Sequence, residues 1–340
     1  MRNRVQSPSS WVPSDGHDGV MADFDLTTVI ECASLAPSVH NTQPWGFSMS
    51  GSSIEVLAEP ARRLDYLDPT SRLLHVSCGA AIEFAWLAVR AMGRQCDVHV
   101  LPDPARPELL ARLDVGGEQA TTPLEVELAD AIPRRYTDRG PYDDRALPPQ
   151  VLIDVQTRCA ELGVWVRLIE DRGDRTTVAT ILAEAESREA ADSDYANELR
   201  RWTSPQAAEV GVPAEAVPPW PADRVSDMPL RDFTGHGEHP RPGGEDAPPR
   251  VERDTLLLLG TALDDRAAWL ASGRALGWLL LRATAESASA QPLGPAIDLP
   301  DSRAALRREL GLVGHPQFLL RMGFGSGEPR TRRQLDQQLS

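Results

Sequence analysis

Arg135, Thr137 and Arg139 stand at i, i+2 and i+4 within RRYTDR, residues 134–139. In an extended segment that spacing puts the three side chains on one side. Two guanidinium forks and a hydroxyl form a donor set for phosphate oxygens, which planar Arg groups bind bidentately. The chain has no Lys, so all 35 basic residues are Arg. A phosphate site here must use Arg, hydroxyls and backbone N–H groups. Taken alone, the arginines suit a solvated surface better than a phosphate site. A second stretch with chemistry-bearing side chains is PSVHNTQPW, residues 37–45, set between a helical and a strand-like run.

Other constellations carry less. His236 and His239 form HxxH in a Pro/Gly-rich stretch with no helix to align them, so no metal site is expected. His75 and Cys78 could share a helix face, but no further ligands stand nearby in the sequence. GFGSG from Gly323 lacks the spacing of a dinucleotide fingerprint, and there is no GxSxG elbow.

The 340 residues suffice for two ordinary domains, and the net charge is −15. Such a field repels phosphate backbones and anionic membranes, so neither nucleic acid nor a membrane is expected as a partner. The four cysteines show no CxxC pairing, which fits a reducing cytoplasm. The N-terminus lacks the apolar run of a secretory signal, and residues 1–22 read as a disordered tail. Apolar runs such as LLLLG, residues 256–260, are too short to span a bilayer.

These two stretches need elements to hold them. A helix capped by Asp23 or Asp25 runs through LTTVIECASLA and stops before Pro37. GFSMS and SIEVLAE read as strands joined at Gly51 and Ser52. HVSCGAAIEFAWLAVRAMG has small and apolar residues on more than one face and reads as a buried helix. QCDVHVLPD is a strand, and PELLARLDVG a short helix or a strand entry. A new start appears at Ala131. PPQVLIDVQTRCAELG is a helix, VWVRLIED a strand and TTVATILAEAESREAA a helix. Residues 204–253 are Pro/Gly-rich and acidic, as expected of a lid or an inserted loop. TLLLLGTAL, RAAWLASGRALGWLLLRATAESAS, PDSRAALRRELGL and PQFLLRMGFG then read as strand, helix, helix and strand. The order from about residue 23 to 93 recurs from about 148 to 289. The pattern admits either a diverged duplication or a coincidence of two Ala-rich helices.

PSVHNTQPW resembles the flavin loop of the nitroreductase family, whose pattern is a helix, PSxxNxQPW, then a strand. RRYTDR resembles that family's R-x-S/T-x-K/R segment. PQFLLRMGFG with PRTRRQL resembles its C-terminal strand and basic tail. Together they span about residues 23–335. The resemblance implies FMN as cofactor and NAD(P)H as a possible electron donor. Hydride would pass through FMN N5 to a nitro, quinone or similar small-molecule acceptor. Cofactor contacts are implied for Pro37, Ser38, Val39 and Asn41, with Gln43 ordering the loop and Trp45 packing beneath it. Arg135, Thr137 and Arg139 would bind the phosphate, and Arg332 or Arg333 would close the clamp. His40 is read as a loop residue.

In family members built as homodimers, the two motifs that meet at one flavin come from different subunits. Here the loop precedes the Arg segment in one chain, so one complete site can form within it. The reciprocal pair is missing: no R-x-S/T-x-R stands before Leu26, and no NxQPW follows Gly163. This arrangement, with SCGAA and the DP..R before it, is similar to the Acg-like branch of fused pseudo-dimers with a lid. The expected fold is α+β and nitroreductase-like. Its halves would be residues 23–130 and 131–340, forming an intrachain pseudo-dimer, with the lid at 204–253. The chain would be a monomer, with further oligomerisation left open. The alternative function is an FMN-binding or storage protein, with little turnover under a closed lid.

Overall fold

A computed structural model of the chain describes residues 25–202, 210–212, 224–229, 250–251 and 253–325. Asp25 opens helix α1 (Leu26–Ser34), its carboxylate accepting the Thr27 N–H at 2.9 Å. Strands β1 (Trp45–Ser50) and β2 (Ser53–Ala58) form a hairpin turned at Gly51, whose φ is 58°. Helix α2 (Arg72–Ala91) follows. Asp68 caps it, accepting the N–H groups of Leu73 and Leu74 at 3.0 and 2.8 Å. Strands β3 (Arg94–Val100) and β4 (Leu109–Glu118) complete the first sheet, so PELLARLDVG is strand and not helix.

Helix α3 (Pro123–Ala131) is absent from the sequence reading. Its signal was present: Thr122 and Glu125 make the reciprocal bonds of a capping box. Helix α4 (Pro149–Glu161) and strand β5 (Val164–Leu168) follow. Helices α5 (Arg172–Ala191) and α6 (Ser193–Trp202) come next. Two short parallel strands, β6 (Arg224–Val225) and β7 (Arg250–Val251), lie in the segment read as a lid. Strand β8 (Thr255–Thr261), helix α7 (Arg266–Ala285) and strand β9 (Ser289–Pro292) follow. Helices α8 (Pro295–Asp298) and α9 (Pro300–Glu309) and strand β10 (His315–Gly323) end the described chain.

Two four-stranded antiparallel sheets result, ordered β1-β2-β4-β3 and β5-β8-β10-β9. The connectivity is the same: in each, the last strand in sequence lies between the second and the third. The repeated order in the sequence therefore corresponds to a repeated topology.

The two central helices, α2 and α7, are both 20 residues long. Gly79 and Gly273 are each the eighth residue of their helix, and there the helices cross. A Cβ on Gly79 would strike the Leu270 carbonyl oxygen, and one on Gly273 the Val76 carbonyl oxygen. Beside the crossing, the wholly buried Glu83 of α2 accepts from Arg158 of α4 at 3.0 Å and Arg274 of α7 at 2.9 Å. One core joins both helices to the inner faces of both sheets, including Ile54, Val56, Leu257 and Leu259. The alternate residues Leu256 and Leu258 face a second core under α5, α8 and α9. By length and hydropathy α2 could cross a membrane, but 94% of its most apolar 18-residue stretch is buried inside the protein.

Candidate cofactor site

The loop after α1 is held in an uncommon shape. His40, Asn41 and Gln43 have φ of 45°, 55° and 50°. Left-handed backbone at a non-Gly residue costs about 1–3 kcal/mol and persists only where the surroundings enforce it. Here they do. Ser38 Oγ accepts the Gln43 N–H at 2.9 Å, and Ser77 Oγ of α2 accepts the Val39 N–H at 3.1 Å. Arg62 donates to the Thr42 carbonyl at 3.1 Å, and the Cys78 thiol to the Pro44 carbonyl at 3.3 Å. Burial pushes that thiol well above its usual pKa, so Cys78 is a packing group and not a nucleophile. Gln43 is wholly buried, its amide 3.4 Å from the Asn41 carbonyl, and Trp45 lies in the core.

Pro37, Ser38, Val39 and His40 form one wall of a cavity. Thr137 and Arg139 line the same cavity from the second half. Thr137 lies beside Ala290 as an isolated parallel bridge, which fixes the Arg segment along the edge of β9. Arg135 does not join them. It ends the 3-10 turn Ile132–Arg134, its N–H bonded to the Ala131 carbonyl, and is 3% exposed. Its own backbone is extended, with φ −62° and ψ 133°. Asn41 and Gln43 do not line the cavity. The Asn41 amide donates to the Gly211 carbonyl at 3.0 Å, and the Gly211 N–H is 3.3 Å from the Asn41 carbonyl. The motif Asn thus holds part of the segment read as a lid. Arg332 and Arg333 lie outside the described residues, as do His236 and His239. Gly323, the last residue of β10, and Gly325 after it pack on Tyr142 and Asp138, which accounts for the first two glycines of GFGSG.

The sequence reading missed one wall. Gln291, Pro292, Leu293, Gly294, Ile297 and Asp298 line the cavity from β9 and α8. This stretch is short and aperiodic, and its signal was the turn chemistry of Pro292, Gly294 and Pro295. Asp298 pairs at 3.2 Å with the buried Arg72, which also donates to the carbonyls of Gln317 and Ile297. Glu186 of α5 lines the cavity as well. The remaining walls are apolar, with Leu73 and Val76 from α2, Leu276 and Leu280 from α7, and Phe318 and Leu320 from β10. His75 and Cys78 are not ligands together: His75 Nδ1 lies 2.6 Å from the Ser71 carbonyl, and its Nε2 accepts from Arg266.

A slot walled by aliphatic side chains, with hydroxyl, amide and guanidinium groups on part of its lining, suits a flat aromatic ligand carrying an anionic tail. The donor set therefore fits FMN.

Comparison with known proteins gives the class. No family model matches the chain. A Mycobacterium tuberculosis H37Rv protein named as a candidate NAD(P)H nitroreductase, Rv3131, is 35% identical over 323 residues. That match covers 92% of this chain and 90% of the relative. Acg of the same strain, also named as a candidate NAD(P)H nitroreductase, is 30% identical over 304 residues, 88% of each chain. Among solved structures, a nitroreductase with bound FMN from Bacteroides fragilis NCTC 9343 is 15% identical, with a TM-score of 0.35. It covers 61% of this chain and 93% of that one. The chain belongs to the nitroreductase family, in the branch that contains Acg. Its fold is α+β and nitroreductase-like.

Proposed function

We propose that the chain is an FMN-dependent NAD(P)H oxidoreductase of the nitroreductase type, with one FMN in the cavity between residues 37–40 and 137–139. The observation that carries this reading is the meeting of the two motifs, from opposite halves of the chain, on one cavity. The names of the M. tuberculosis relatives support the class of reaction. Bound there, FMN supplies the two-electron chemistry: hydride in from NAD(P)H, electrons out to a nitro, quinone or similar acceptor. The side chains bind, orient and exclude water. Arg139 and Thr137 hold the phosphate, Leu276, Leu280 and Leu73 flank the ring, and the strained loop fixes its edge.

The reading takes residues 23–130 and 131–340 as two subunit-like halves and the chain as a monomer. The helix positions explain why one site is expected. By place in the helix, Leu280 of α7 corresponds to Trp86 of α2, and Ser77 of α2 to Ala271 of α7. The Trp86 ring packs on the core under the Arg158 guanidinium, 4.4 Å from its centroid. Ala271 has no hydroxyl to hold a loop as Ser77 holds Val39. A cytoplasmic location accompanies the reading, and the four free cysteines agree with it.

The test is anaerobic mixing of the FMN-loaded protein with NADH or NADPH. Bleaching of the flavin absorbance within minutes is expected, and its absence would sink the reductase reading. One observation favours a second reading, an FMN-binding or storage protein: the Asn41–Gly211 bonds seat part of the inserted segment on the flavin loop. A protein that holds FMN and never bleaches would be that protein.

A further inference from the structure

We infer that Gln291 is a ligand-binding side chain that recognises the phosphate of the cofactor, and that Arg321 is the positioning residue behind it. The inference rests on the FMN reading and adds to it a residue that selects FMN over unphosphorylated flavin.

Gln291 of β9 stands directly opposite Arg321 of β10. Gln291 is 3% exposed and Arg321 is wholly buried. Arg321 Nε and Nη2 donate to Gln291 Oε1 at 2.9 and 2.6 Å. A guanidinium has donors only, so the atom facing it must be the amide oxygen. The orientation of the amide is thereby fixed by chemistry. The guanidinium is fixed in turn: it donates to the Gly140 carbonyl at 2.8 Å and lies 4.5 Å from the Tyr142 ring centroid.

With its oxygen occupied, the amide presents Nε2 as a donor. Gln291 lines the cavity, and Nε2 bonds to no described residue. Nε2 opens onto the cavity, where its acceptor comes from solvent or from a ligand. Held rigidly by Arg321, the donor is pre-oriented for an acceptor on a bound ligand. The location says which acceptor. Ala290, the neighbour of Gln291, bridges to Thr137, and Arg321 is anchored on Gly140, which follows Arg139. Gln291 therefore belongs to the Thr137–Arg139 end of the cavity, where the ligand is a phosphate monoester. Donation into Oε1 also polarises the amide and strengthens Nε2 as a donor. A neutral side chain thus passes part of the pull of a buried cation to an anion.

The test titrates FMN and riboflavin into full-length wild type, Gln291→Leu and Gln291→Glu, following quenching of flavin fluorescence. Glu is isosteric and can pair with Arg321, so that variant is expected to fold, while its carboxylate repels phosphate. The expected result is an FMN affinity about ten- to a hundred-fold lower in Gln291→Leu, the size of one lost bond to a charged group, and lower still in Gln291→Glu. Riboflavin affinity is expected to stay at the wild-type level in both. Arg321→Met should reproduce the FMN-selective loss. FMN binding unchanged in both Gln291 variants, or an equal loss for FMN and riboflavin, would overturn the inference. Wild-type protein that takes up neither flavin would overturn the FMN reading and this inference with it.

Discussion

Gly79 and Gly273 meet where α2 crosses α7, and Gly273 Cα lies 2.9 Å from the place a Cβ on Gly79 would take. Both are at the same position in helices of equal length. The contact sets how closely α2 and α7, which both line the cavity, approach each other.

Gly79→Leu and Gly273→Val are therefore expected to separate or collapse the helix pair. Overpacking a backbone contact exceeds the usual 1–3 kcal/mol of an oversized core residue, so a cost of about 4 kcal/mol or more is expected. Urea unfolding checks it. Variants within about 0.5 kcal/mol of wild type would contradict the crossing.

The site was legible in the sequence where it depends on local chemistry. Pro37, Ser38 and Val39, with Thr137 and Arg139, line one cavity. What the sequence leaves open depends on what a residue meets in space. Arg135 has the right spacing, yet it is buried and is not among the residues that line the cavity. Asn41 belongs to the motif, yet its amide is bonded to Gly211, 170 residues away in sequence. Gln291 lies in a four-residue edge strand too short to show a period, and only its pairing with Arg321 gives it significance. Helix boundaries were easier, because caps such as Asp25 act within a few residues.

Asn41→Ala removes the donor to the Gly211 carbonyl. The expected consequence is a loss of about 0.5–1.5 kcal/mol in docking of residues 210–212 on the loop, with FMN exchanging several-fold faster. Displacement of bound FMN by excess riboflavin, followed in time, measures this. An unchanged exchange rate would mean that these residues do not hinder access.

Asp68 carries a pH dependence. Burial, opposed by the N–H groups of Leu73 and Leu74 and by Arg72, pushes its carboxyl pKa up to about 6. A raised carboxyl pKa means that the folded state favours the proton. The stabilising contribution is full below about pH 4 and is lost as pH rises through 6, on the order of 2–3 kcal/mol. Asp68→Asn keeps an acceptor for the cap and cannot titrate. Its stability relative to wild type should rise between pH 4 and 7. Parallel urea-unfolding profiles for the two proteins over that range would contradict the assignment.

The central claim is a single FMN site made by both halves of one chain. Its most direct test is the stoichiometry of tightly bound FMN after reconstitution and removal of excess, with Arg139→Ala beside wild type. The account predicts one FMN per chain in wild type and a marked loss in the variant. Two FMN per chain, none, or retention undiminished in Arg139→Ala would contradict it.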